Sequence, residues 1–181
     1  MSWYAVNQAS LRPGGRPGLS PILPNLLIGE YPRPEDAVWL KTTHGVTAVL
    51  NLQDEADLAS KDLDARQLEQ AYRECGLRYQ QIAVPDCDTE VLGQRLEDIL
   101  ARLGELLDGG ERVYLHCNGG LNRAPTVAIA YLHARGGLSL ADSRDFVKSR
   151  RPCAPYMRLL EAHFGVVAGA PRAAARERTR A

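Results

Sequence analysis

Short apolar runs rich in β-branched residues alternate along this chain with longer stretches of helical period, and that alternation leaves few folds open. Val46 to Leu52 (VTAVLNL) and Arg112 to Cys117 (RVYLHC) have almost no polar face, so they read as strands of a sheet covered on both sides. Leu23 to Ile28 and Leu77 to Val84 are two further strand candidates. Pro34-Glu35-Asp36 places proline and acids in a first helical turn, and that helix ends near Gly45. Lys61 to Cys75 has helical periodicity with Gly76 as its stop. Glu90 to Leu107 sets Leu92, Leu96, Ile99, Leu103, Leu106 and Leu107 along one side, before Asp108-Gly109-Gly110. Arg123 to Arg135, Ser139 to Arg150 and Pro155 to Phe164 add three helices. Strands followed by helices predict an α/β domain with a central, mostly parallel twisted sheet flanked by helices.

Residues 1–20, rich in Gly, Pro and Ser, read as an extended N-terminal arm, residues 21–166 as the domain, and residues 167–181 as a disordered basic tail. The chain has 181 residues, 45% of them hydrophobic and 24% charged, which suits one ordinary hydrophobic core. A formal net charge of zero argues against nucleic acid or an anionic membrane as the main partner, since both call for surplus Lys and Arg. No run approaches the ~20 apolar residues of a membrane span, and Met1-Ser2-Trp3-Tyr4 opens no signal peptide. A cytoplasmic protein with reduced thiols is expected, and a monomer. Cys75, Cys87, Cys117 and Cys153 are widely spaced, and His44, His116, His133 and His163 lack ligand spacing, so no metal or organic cofactor is implied.

The chemistry is carried by His116 to Thr126, HCNGGLNRAPT, between a predicted strand and a predicted helix. A helix start aims free backbone N–H groups and the positive dipole end at the loop before it, which makes an anion site. Asn118, Gly119, Gly120, Leu121 and Asn122 form that loop, and the two glycines let it curl with its amides inward. Arg123 supplies a planar fork of donors that matches two phosphate oxygens. Cys117 stands at the start of the loop, where a helix N-terminus and a nearby cation favour the nucleophilic thiolate. One loop therefore offers a nucleophile, an anion cradle and a charge clamp.

This loop resembles the Cys-x5-Arg signature of the cysteine-dependent protein tyrosine phosphatase superfamily, with the His before the Cys and the Gly three residues before the Arg also in place. The resemblance extends from about Leu26 to Phe164. The single Cys loop and the segment Lys148-Ser149-Arg150-Arg151-Pro152 look like the dual-specificity phosphatases. Among those, Arg123-Ala124-Pro125, Leu27-Ile28-Gly29 and Leu52-Gln53-Asp54 are most similar to the plant starch-excess type of glucan phosphatase. The likeness implies a single dual-specificity-phosphatase-like domain that hydrolyses phosphate monoesters through a phosphocysteine. The substrate class that it implies is a phosphorylated glucan; a phosphoprotein bearing phosphotyrosine, phosphoserine or phosphothreonine is the alternative. It also implies that His116 orients the loop, and that an acid about thirty residues before the Cys protonates the leaving oxygen. Asp86 is the candidate for that acid, with Asp88 beside it as the alternative.

One departure stands out. The residue after the Arg is usually Ser or Thr in this family; here it is Ala124, and Thr126 is expected to face elsewhere, so breakdown of the phosphocysteine is expected to be slow. The uncharged loop favours a substrate with one local phosphate. A reading from a different class is a phosphate-binding module without turnover. Cys87, next to the candidate acid, invites a redox link to Cys117, whereas Cys75 and Cys153 look structural.

Overall fold

The computed structural model describes residues 14–166. Its elements run in the order β1 (Leu19–Leu23), β2 (Leu26–Gly29), a 3-10 turn (Pro34–Asp36), α1 (Ala37–His44), β3 (Ala48–Asn51), α2 (Glu55–Ala59), α3 (Ala65–Glu74), β4 (Arg78–Gln81), α4 (Thr89–Asp108), β5 (Val113–His116), α5 (Arg123–Gly136), α6 (Leu140–Lys148) and α7 (Met157–His163). The strands form a five-stranded sheet in the order β1-β2-β5-β3-β4. β2, β5, β3 and β4 are parallel, and β1 joins β2 antiparallel at one edge.

Alternation along the strands splits the core into two layers. Leu26 and Ile28 of β2, Ala48 and Leu50 of β3, and Val113 and Leu115 of β5 face α4, α5, α6 and α7. Leu27, Val49 and Tyr114 turn to the other side, against Leu40 of α1 and Leu68 and Tyr72 of α3. β2, β3 and β5 are buried along their whole length, which is why their sequences carry so few polar residues.

Three expectations are revised. The single strand predicted over Leu23 to Ile28 is a hairpin turn between two strands, since Pro24 and Asn25 break the run. β1 begins at Leu19, so Leu19 and Ser20 belong to the sheet rather than to the arm. The helix predicted over Lys61 to Cys75 starts only at Ala65, and a short helix that was not predicted, Glu55–Ala59, precedes it. Asp54 caps α2 by accepting from Asp57 N at 2.8 Å, Asp64 caps α3 by accepting from Gln67 N at 2.9 Å, and Asp62 between them turns the chain at φ 55°. Residues 1–13 of the predicted arm and the whole predicted tail, 167–181, lie outside the described residues. Among the described residues no helix is long and apolar enough to cross a membrane.

The sheet places the site. β5 is the central strand, and its C-terminal end delivers Cys117 to the edge where β2, β3 and β4 also end. In parallel register Asn51 of β3 and Gly29 of β2 both lie opposite His116. Residues 30–31, 52–57 and 84–86 therefore converge on the loop after β5, the position where open parallel sheets bind ligands.

Candidate active site

The loop from Asn118 to Asn122 is held from outside by two other segments, at Tyr31 and at Arg151 to Ala154. Tyr31 N donates to Asn118 O at 3.0 Å. Arg151 Nε donates to Gly120 O at 2.6 Å and its Nη2 to Gly119 O at 2.9 Å, while its Nη1 reaches Gly18 O at 3.4 Å. Ala154 N donates to Leu121 O at 2.8 Å, and Asn122 Nδ2 donates to Ala154 O at 2.7 Å. With these carbonyls drawn outward, the loop is fixed from behind and its curl faces the start of α5. Gly120 makes this possible: its φ is +60°, and a Cβ there would sit 2.5 Å from the backbone carbonyl of Gly29.

Arg123 is the first residue of α5 and is 1% exposed. Its Nη1 donates to Asp57 Oδ2 at 2.6 Å and to Val84 O at 2.5 Å. Its Nη2 lies 3.0 Å from Asp86 Oδ1 as an ion pair. Among the described residues Nε has no hydrogen-bond partner and Nη2 has the half-exposed Asp86 carboxylate as an ion pair only, so Nε is an open buried donor and Nη2 one that an anion can take over. Burial opposes the charge on Arg123, but its hydrogen bond to Asp57 and the charges of Cys117, Asp57 and Asp86 outweigh it, and its pKa is raised. The guanidinium is thus locked in the charged form beside the thiol.

Cys117 is buried, at 3% exposure. His116 is buried beneath it, stacked on the Tyr114 ring with centroids 5.5 Å apart. Its Nδ1 lies 3.3 Å from Cys117 O; a carbonyl only accepts, so Nδ1 carries the proton. Burial above all, with Arg123 assisting, pushes the His116 pKa down to about 3, so the ring is neutral and serves as a fixed donor rather than a proton carrier.

Asp86 lies in the loop between β4 and α4, is half exposed, and presents its carboxylate to Arg123 and to Asn118, whose Nδ2 is 3.4 Å from Asp86 Oδ2. Asp88 points away. It is the N-cap of α4, with Oδ1 accepting from Val91 N at 2.9 Å. Cys87 between them is exposed and adopts φ 61°. Its thiol and the charge of Asp86 reach the Tyr156 phenol, whose pKa burial, first, and these neighbours push up to about 12. Cys117 and Cys87 are both free thiols, as are Cys75 and Cys153. Ala124 is fully buried, and Thr126 does face elsewhere: its hydroxyl donates to Asn122 O at 2.7 Å and accepts from Tyr156 N at 2.9 Å. Among the described residues no three His, Cys, Asp or Glu side chains gather as a metal site would require.

Sequence reasoning brought together Cys117, the loop, Arg123 and Asp86. It missed Asp57, Gln53 and the bracing role of Arg151. Asp57 carried a signal, the Asp54-x-x-Asp57 spacing of a capping box, but that spacing marks a helix start and not a partner for Arg123. Only the β3–β5 register sets α2 beside the loop.

Comparison with known proteins agrees with this geometry. The chain is 34% identical over 144 residues to laforin of Mus musculus, covering 74% of this chain and 44% of that protein. It is 30% identical over 137 residues to the amyloplastic phosphoglucan phosphatase DSP4 of Castanea sativa, covering 74% of this chain and 36% of that protein. It thus spans less than half the length of either relative. The crystal structure of Tk-PTP in the active form matches with a TM-score of 0.69 and 24% identity over 82% of this chain and 97% of that one, a likeness of fold. A family model described as dual specificity phosphatase, catalytic domain, matches residues 27–161, from β2 into the last helix, and by that match the chain belongs to the dual-specificity phosphatases.

Proposed function

We propose that this protein hydrolyses phosphate monoesters with Cys117 as nucleophile, Arg123 as phosphate clamp and Asp86 as acid, and that its substrate is a phosphorylated glucan. The observation that carries the reading is the buried Arg123, whose Nε and Nη2 lack hydrogen-bond partners among the described residues while its other nitrogen is fixed on Asp57. A buried cation with Nε unengaged and Nη2 held only by a half-exposed carboxylate, beside a thiol and a helix start, suits a phosphate dianion.

The residues then divide the work. The Cys117 thiolate attacks phosphorus, an S–P bond forms and the P–O bond to the leaving group breaks. Loop amides and Arg123 hold the three other oxygens as charge shifts onto them. The proton on Asp86 goes to the departing oxygen, which leaves as an alcohol. Water then attacks phosphorus, gives its proton to the Asp86 carboxylate, and the S–P bond breaks to return the thiolate and inorganic phosphate. Asp86 suits the acid role because it faces Arg123, whereas the carboxylate of Asp88 is taken up by its own helix. The phosphoglucan choice rests on the likeness to the phosphoglucan phosphatase of Castanea sativa and on the absence of charged side chains from Asn118 to Asn122.

The test is phosphate release from phosphorylated amylopectin, a phosphotyrosine peptide, a phosphothreonine peptide and an aryl phosphate, each with Cys117→Ser as control. Turnover of the glucan that vanishes in Cys117→Ser, with phosphate binding retained, is expected. Turnover of peptides alone would make the protein a protein phosphatase, and silence on all four would leave a phosphate-binding module.

A further inference from the structure

Asn118 is the one loop residue whose side chain meets both carboxylates of the site, and its amide orientation is forced. Gln53, fully buried, donates from Nε2 to Asn118 Oδ1 at 2.8 Å. Gln53 is itself fixed at the end of β3, its carbonyl accepting from Gln81 Nε2 at 2.8 Å. With its oxygen occupied, Asn118 must turn Nδ2 toward Asp57 Oδ1, to which it makes a short hydrogen bond, and toward Asp86 Oδ2 at 3.4 Å. The two oxygens of Asp86 are therefore held differently. Oδ1 faces Arg123 Nη2 at 3.0 Å and takes its neighbour Cys87 N at 3.2 Å, whereas Oδ2 has Asn118.

We propose that Asn118 is the positioning residue for the acid: its amide keeps hold of Asp86 Oδ2 when a phosphate takes Arg123 away from Oδ1. The inference rests on the reading of Asp86 as the acid. A phosphate dianion on Arg123 Nε and Nη2 competes with Asp86 Oδ1 for the guanidinium and leaves that oxygen facing the bound phosphate. With Oδ2 held by the Asn118 amide, the carboxyl group keeps Oδ1, the oxygen nearest Arg123, turned toward the bound phosphate. Asp86 is half exposed on a loop, so without Asn118 its only remaining tie is the adjacent backbone amide. The 3.4 Å contact is long while Arg123 shares the carboxylate, and such contacts tighten once substrate is bound.

The experiment compares an alkyl phosphate, whose alkoxide cannot leave without a proton, with an aryl phosphate whose phenolate can. kcat/KM for both is measured in the parent chain and in Asn118→Ala, Asn118→Ser, Gln53→Met and Asp86→Asn, with thermal unfolding recorded for each. Asp86→Asn is expected to lower the alkyl-to-aryl ratio by about 100-fold, the worth of a general acid. Asn118→Ala should lower the same ratio by about 3- to 10-fold, the worth of one neutral hydrogen bond. Asn118→Ser, which keeps a donor, should restore part of the loss, and Gln53→Met should repeat it in a chain whose Asn118 is intact. An equal fall on both substrates in Asn118→Ala and Gln53→Met, with a selective fall in Asp86→Asn, would overturn the positioning role and leave the acid in place. No selectivity in Asp86→Asn would overturn both.

Discussion

Replacing Asp57 by Ala strips a buried cation of its charged partner, and the structure sets the scale of the damage. Asp57 is 6% exposed, Arg123 is 1% exposed, and they meet at 2.6 Å. Removing one partner of a buried pair costs about 3–5 kcal/mol, because the other charge stays out of water uncompensated. Arg123 would keep Val84 O on Nη1 and Asp86 on Nη2, but a carbonyl dipole does not neutralise a cation and the half-exposed Asp86 is screened by water, and Asn118 would lose its shorter contact as well. For a domain of this size each kcal/mol lowers Tm by roughly 2–4 °C, so Asp57→Ala should melt roughly 6–20 °C lower. Asp57→Ala/Arg123→Met removes both charges and should recover most of that loss, since apolar replacements of a buried pair are often neutral or better. The assay is thermal unfolding by circular dichroism at pH 7. A single variant within about 2 °C of the parent, or a double variant that melts no higher than the single, would refute the account of Arg123 as a desolvated, charge-compensated cation.

Three further outcomes follow from the same geometry. Gly120→Ala forces φ +60° on a residue with a Cβ that meets the Gly29 carbonyl at 2.5 Å; a loss of about 2–5 kcal/mol is expected in urea unfolding, and an unchanged midpoint would contradict it. The His116 pKa of about 3 lies below the ~6.5 of an exposed imidazole, so between those values the unfolded chain binds a proton that the folded chain does not. Stability should therefore fall as pH drops from ~6.5 toward 3, by about 1.4 kcal/mol per pH unit from this group, and His116→Gln should flatten the slope by that amount; parallel slopes would show the ring is not held neutral. With Ala124 buried and the Thr126 hydroxyl engaged elsewhere, no hydroxyl from the first turn of α5 assists the thiolate in leaving, so rapid-quench kinetics should show a burst of one leaving group per chain that Ala124→Ser diminishes; linear release from the first turnover would remove the argument.

Much of the fold was written in local patterns. The runs VTAVLNL and RVYLHC became β3 and β5 because a strand buried on both faces has no use for polar residues, and the leucines of α4 sit on one side because one side meets the sheet. Where local signals compete, boundaries shifted. Pro24 and Asn25 cut one apolar run into a hairpin, and the caps Asp54 and Asp64 set an unpredicted short helix before the predicted one and moved the start of the latter from Lys61 to Ala65.

The sequence by itself pointed to the chemistry of the loop, because a cysteine, two glycines and an arginine lie within seven consecutive residues between a strand and a helix, a composition suited to cradling an anion. Tertiary structure alone decided which carboxylate does what. Asp86 and Asp88 are two residues apart, and the sequence favoured Asp86 only for following the strand directly; the fold turns Asp86 to Arg123 and makes Asp88 the cap of α4. Asp57 and Gln53 reach the loop only because parallel register sets Asn51 opposite His116, and Arg151 reaches it by the return of the chain after α6. These contacts span 31 to 66 positions of sequence, and no local periodicity encodes them: they exist only once the hydrophobic layers have closed on the sheet and brought the ends of its parallel strands to one edge.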